Sequence, residues 1–137
     1  MKVMKMDLDI HKAKIFIVDD HGPNVLLLNK LLKVNGFHNI VETVDVREMF
    51  SLYHREQPDL ILLDLKMPYI DGFDILEQFS RYEKKPYTPI IVITSHDEMI
   101  NREKAYKLGV QDFIAKPFDV KDVIHRIQCA LKTSNQT

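Results

Sequence analysis

The chain has 137 residues, 45% of them hydrophobic, and a formal net charge of −1 from nearly balanced acids and bases. These values predict a single globular domain with its own core, and the mixed charge offers no basic footprint for direct nucleic-acid binding. Cys129 is the single cysteine, which rules out an internal disulfide and fits a reducing, cytoplasmic setting. No apolar run reaches the roughly 20 residues needed to cross a membrane.

Met1–Lys14 carries lysines and acids but no apolar block, so it is not a secretory signal. Residues 1–13 are expected to form a partly disordered leader, residues 14–131 the folded domain, and residues 132–137 a polar tail. Lys14 to Val18 is an apolar strand that runs into the acid pair Asp19-Asp20. His21-Gly22-Pro23 breaks it, and Pro23 suits the first turn of a helix. Val25, Leu28, Leu31 and Leu32 give that helix an apolar face, and Gly36 is a C-terminal stop. Asn39 to Val44 is a less apolar strand, placed at a sheet edge. Asp45 with Glu48 resembles a capping box, opening a helix that ends before Pro58.

Leu60 to Leu63 is a short continuous apolar run, the mark of a strand buried on both faces. It ends on Asp64, a carboxylate that an apolar strand end disfavours unless local chemistry compensates. Asp71-Gly72 opens a third helix carrying Phe73, Leu76 and Phe79. Arg81 to Lys85 is polar, and Pro86 and Pro89 bracket a loop. Ile90 to Ser95 is a fourth strand ending in two hydroxyls. Asp97 is placed as the cap of a fourth helix, which runs to Leu108 and stops at Gly109. Val110 to Ala115 is the fifth strand, ending at Lys116-Pro117. Asp119 caps a last helix with Val120, Val123, Ile124, Ile127 and Leu131 at core spacing.

Five strands alternating with five helices predict an α/β domain, a parallel sheet with helices on both faces. In such a sheet Asp19-Asp20, Asp64, Thr94-Ser95 and Lys116 all lie at the carboxyl edge, where ligands gather. Carboxylates so close repel one another and raise each other's pKa; a divalent cation relieves this. Mg²⁺ suits an all-oxygen site and often shares it with a phosphate. Metal, lysine and hydroxyl around a carboxylate suit attack on a phosphoryl group, whose oxygens they neutralise. Each residue also has a plain reading. The acid pair could be a solvated loop, Lys116 a surface lysine, Thr94 β-branched filler and Phe113 core. The six histidines lack the spacing of a zinc site.

Asp19-Asp20, Asp64 with Met67-Pro68 and Asp71-Gly72 behind it, Thr94, and Phe113 ahead of Lys116-Pro117 together resemble the receiver domain of two-component response regulators. The order and spacings fit, and the resemblance covers about Lys14 to Leu131. It implies a flavodoxin-like, doubly wound five-stranded sheet of order 2-1-3-4-5. It implies that Asp64 is the phosphoacceptor, served by a histidine kinase or phosphotransfer protein. Asp19, Asp20, Asp64 and the Lys66 backbone carbonyl would hold Mg²⁺. Lys116 would pair with the phosphoryl group, and its bond to Pro117 would be cis. Thr94 and Phe113 would be a switch pair. When Thr94 moves toward the phosphoryl group, Phe113 would turn inward and reshape the face of the fourth helix, fifth strand and last helix. That face would bind a downstream protein, a fused output domain or a second copy of the chain. Lys66 and His96 stand at variable positions flanking the approach of water and are expected to tune the phosphoryl lifetime. Ser95 departs from the small alanine common at its place.

Three other readings fit less well. A phosphohydrolase with an aspartyl-phosphate intermediate often has an acid/base aspartate two residues after the nucleophile, where this chain has Lys66. A nucleotide-binding protein would need a phosphate-cradling glycine loop. A constitutive scaffold usually lacks a site residue, and none is lost here. The chain is read as a switch rather than an enzyme, either stand-alone or part of a longer protein.

Overall fold

The computed structural model describes residues 9–82 and 88–135. The first part of the expected leader, most of the polar loop around Lys85 and Pro86, and the last two residues of the tail lie outside them. Five strands form one parallel sheet: β1 Ile15–Val18, β2 Ile40–Thr43, β3 Leu60–Leu63, β4 Ile90–Ser95 and β5 Asp112–Lys116. Their order is β2-β1-β3-β4-β5. The helices are α1 Gly22–Val34, α2 Met49–Glu56, α3 Gly72–Tyr82, α4 Arg102–Lys107 and α5 Val120–Asn135. This is the flavodoxin-like, doubly wound arrangement.

Strand residues alternate between two apolar layers, as a side-chain period of 2 requires. Ile15, Ile17, Leu60, Leu62, Ile91 and Ile93 pack with Val25, Leu28, Leu31 and Leu32 of α1 and Val123, Ile124 and Ile127 of α5. Phe16, Val18, Ile61, Leu63, Ile90 and Val92 pack with residues of α2, α3 and α4 on the other face. Both faces of β1 and β3 are therefore covered, and every residue of the two strands is buried. At about 25 cal/mol per Å² of apolar area, this two-sided burial stabilises the two central strands. β2 is an edge strand, and its less apolar sequence matches its partial burial.

Helix boundaries follow local chemistry. α1 ends in a Schellman motif: Gly36 has φ +92°, its N–H donates to Lys33 O at 3.1 Å, and the Phe37 N–H donates to Leu32 O at 2.9 Å. Asp71 caps α3 by accepting from the Phe73 N–H at 2.9 Å. Asp119 accepts from the Lys121 N–H at 3.1 Å at the start of α5. α5 continues past Leu131 to Asn135, so much of the expected polar tail is helical. Asp9–Ala13 is ordered as a capped 3₁₀ turn, with Ile10 and Ala13 packed against the α1/α5 layer.

Two capping expectations differ. Asp45 and Glu48 form no capping box. The Thr43 hydroxyl accepts from the Asp45 N–H at 3.1 Å and meets the Glu48 carboxylate at 3.1 Å, and a 3₁₀ turn, Val46–Glu48, precedes α2. Asp97 caps no α-helix. His96–Asn101 is 3₁₀, and α4 is the short helix that follows. The Asp97 carboxylate is engaged elsewhere, by Ser95 Oγ at 2.6 Å and Lys66 Nζ at 2.7 Å, so it is not spent on the backbone donors of a first turn.

Candidate functional site

Register assembles the site. Val18 pairs with Leu63 across β1 and β3, and Asp19 and Asp64 follow immediately. Thr94 pairs with Ala115, and Ser95 with Lys116, across β4 and β5. Lys116 lies two past Ile114, Asp19 two past Ile17 and Asp64 two past Leu62, so strand alternation directs all three toward the α1/α5 face.

Asp64 is 7% exposed and fully engaged. Its Oδ2 accepts from Lys116 Nζ at 3.0 Å, and its Oδ1 accepts from the Thr94 hydroxyl at 2.7 Å and the Lys66 N–H at 3.0 Å. Asp19 is 2% exposed. It accepts from Lys116 Nζ at 3.1 Å and from the His21 N–H at 2.9 Å. Asp20 is exposed, yet Asp19, Asp20 and Asp64 can each bring one carboxylate oxygen within 4.8 Å of the others. An all-oxygen donor set of this kind suits a hard divalent cation rather than a soft metal. The Lys116–Pro117 peptide is cis.

Burial pushes the Asp19 carboxyl up, outweighing the His21 N–H and Lys116 charge that pull it down. Burial also opposes the Lys116 charge, but Asp64 and Asp19 prevail and hold the ammonium above the ordinary lysine range. Lys116 is therefore the resident counter-charge of two carboxylates more deeply buried than itself.

Thr94 is fully buried and Phe113 is 3% exposed. Phe113 packs with Val92 and Ala105 in the α2/α3/α4 layer. Thr94 bonds Asp64 from β4, and Phe113 lies in the neighbouring strand β5. The Lys66 ammonium bonds Asp97, which first of all holds it above the ordinary lysine range. His96 is exposed in the 3₁₀ segment. The sequence pattern placed Ser95 at this edge but not Asp97. Asp97 lies 31 positions from Lys66, and its acid-after-strand pattern pointed to a cap instead.

A cleft of about 580 Å³ opens beside the acids, with Asp20, Lys66, Met67, Asp71, Phe73 and Glu98 among its lining residues. Across the sheet edge, Arg126 ties α5 to β5, bonding Asp122 of its own helix at 3.0 Å and reaching Asp112. The Tyr106 hydroxyl donates to the same Asp112 at 3.3 Å. No helix among the described residues is long and apolar enough to cross a membrane.

A parallel sheet of order 2-1-3-4-5 with acids, hydroxyl and lysine converging at its carboxyl edge defines a class, and comparison with known proteins places the chain in it. The model of the response regulator receiver domain matches residues 15–128, and the chain belongs to that family of two-component signalling switches. It is 32% identical over 132 residues to the "Probable transcriptional regulator ycf27" of Guillardia theta, covering 96% of this chain and 50% of that protein. It is 32% identical over 121 residues to the alkaline phosphatase synthesis transcriptional regulatory protein PhoP of Bacillus subtilis (strain 168), covering 88% of this chain and 49% of that one. The chain thus spans about half the length of these relatives. Among solved structures, full-length FixJ from B. japonicum aligns with TM-score 0.81 at 27% identity, over 90% of this chain and 59% of that chain. The signal receiver domain of a response regulator from Bermanella marisrubri aligns with TM-score 0.79 at 22% identity, over 88% of this chain and 98% of that chain, a likeness of fold.

Proposed function

We propose that this chain is a phosphorylation-dependent switch in which Asp64 accepts a phosphoryl group from the phosphohistidine of a histidine kinase or phosphotransfer protein. The observation that carries this reading is the environment of Asp64: a buried carboxylate whose two oxygens meet Lys116 Nζ at 3.0 Å and the Thr94 hydroxyl at 2.7 Å. An Asp64 oxygen attacks phosphorus, the phosphorus–nitrogen bond breaks, and the imidazole leaves with the bonding pair. Lys116 pairs with the arriving phosphoryl oxygens, and Thr94 turns its hydroxyl to them. Asp19, Asp20, Asp64 and the Lys66 backbone carbonyl would hold Mg²⁺. When bound, Mg²⁺ neutralises charge that three carboxylates and a phosphoryl group concentrate in one site.

The signal leaves through the face of α4, β5 and α5. Thr94 lies in β4 beside β5, and Phe113 lies in β5 against Ala105 of α4. A change at Thr94 therefore reaches that face through packed side chains. A phosphoryl group biases it only by contacting the two arrangements differently. The recipient is a downstream protein, a fused output domain or a second copy of the chain, in the cytoplasm. The chain turns over no outside substrate; its chemistry is confined to gaining and losing its own phosphate.

The test is phosphorylation by acetyl phosphate. The chain should gain one phosphate in the presence of Mg²⁺ and none in EDTA, and Mg²⁺ alone should raise its thermal midpoint. Asp20→Ala should lose most of both effects. Undiminished Mg²⁺ dependence in that variant would remove Asp20 from the site.

A further inference from the structure

Lys66 holds two positions at once. Its backbone N–H donates to Asp64 Oδ1 at 3.0 Å, while its side chain turns away to Asp97 Oδ2 at 2.7 Å. Asp97 is itself fixed: its other oxygen accepts from Ser95 Oγ at 2.6 Å. Ser95 follows Thr94 directly, so the bridge joins the segment after β3 to the end of β4 across the mouth of the site. Both side chains of the pair are more than half exposed, at 53% for Lys66 and 66% for Asp97. An ion pair so exposed is weak. A phosphoryl group on Asp64 would bring roughly 1.5 to 2 negative charges within reach of a flexible four-carbon stem anchored two residues away.

We propose that Asp97 is a positioning residue that holds the Lys66 ammonium off the phosphoryl site, and that phosphorylation of Asp64 sets Asp97 and the phosphoryl oxygens in competition for it. This rests on Asp64 being the phosphoacceptor, and it adds a control on how long the phosphate stays. Loss occurs when water attacks phosphorus. The bond from phosphorus to the Asp64 oxygen breaks, Asp64 regains its carboxylate, and inorganic phosphate leaves with the water's oxygen. An ammonium paired with the phosphoryl oxygens cannot accept a proton from that water, and its stem covers the approach. The share of time Lys66 spends there therefore slows release, and Asp97 sets that share. Ser95, by orienting Asp97, belongs to the same device, which gives a use to a residue where the family commonly carries alanine.

The experiment is a double-mutant cycle. The chain is loaded with acetyl phosphate and Mg²⁺, the donor is removed, and phosphate release is followed in excess Mg²⁺. Asp97→Asn keeps the size but removes the charge, and should slow release by up to about fivefold, the range spanned by an exposed ion pair. Asp97→Glu should restore the original rate. In a Lys66→Met background, Asp97→Asn should change nothing. An unchanged or faster release in Asp97→Asn overturns the proposal, as does the same fold-change with and without Lys66, which would assign Asp97 a role in the loop itself. A chain that takes up no phosphate on Asp64 overturns the acceptor reading beneath it, an outcome visible at the loading step.

Discussion

The Thr94 hydroxyl donates to Asp64 Oδ1 at 2.7 Å from a fully buried position. It thereby ties the end of β4 to the carboxylate that follows β3. A hydrogen bond to a charged group contributes about 1.5–3 kcal/mol. Thr94→Ala should lower the unfolding free energy by that order, read by urea titration. The same variant should still accept phosphate on Asp64 but lose the coupled response of Phe113, followed by its ring proton resonances. A ring response equal to that of the unaltered chain would separate Phe113 from Thr94.

Lys116 is the counter-charge of Asp19 and Asp64. Lys116→Met leaves two buried carboxylates facing each other and should cost about 2–4 kcal/mol of stability without metal. Mg²⁺ should recover a large part of that loss if the same acids hold it. The alkaline limb of stability carries a second sign. The ammonium is held above its ordinary value, so its contribution is complete below the ordinary lysine pKa of about 10.4. It is lost as pH climbs through the raised value. The difference in stability between the two chains should therefore shrink in that alkaline window and stay level at neutral pH.

Gly72 faces the backbone of the site. A Cβ there would stand 2.5 Å from Leu65 Cα and 2.7 Å from Leu65 O, one residue past Asp64. Neither atom is a flexible side-chain end that could move aside. Gly72→Ala should destabilise the domain by about 1–3 kcal/mol and, by shifting the segment after β3, slow phosphorylation by acetyl phosphate. Thermal melting reads the first effect and the initial rate of phosphate uptake the second. Wild-type values for both would mean that the segment yields without cost.

The strands were legible because β1, β3 and β4 are buried on both faces, which writes a continuous apolar run into the sequence. Their chemistry was legible because an acid or lysine at the end of such a run is conspicuous. Edge strand β2 was legible for the opposite reason, its mixed composition. What failed were local competitions that sequence does not display. Asp97 has the position and chemistry of a helix cap, yet Lys66 and Ser95 take its oxygens and it lies within a six-residue 3₁₀ segment, His96–Asn101. Asp45 and Glu48 have capping-box spacing, yet Thr43 engages both. Of these rivals Lys66 is remote in sequence, whereas Ser95 and Thr43 are near neighbours at the ends of β4 and β2, and spacing alone does not rank such partners against a helix cap.

Every later step of the switch depends on Asp64 accepting the phosphoryl group. The measurement is the mass and chemical stability of the chain after acetyl phosphate and Mg²⁺, with the modified residue located by peptide mapping. The predicted result is one acid-stable, base-labile acyl phosphate on Asp64, absent in Asp64→Asn. A phosphate located on a serine, threonine or histidine, or one retained in full by Asp64→Asn, would contradict it.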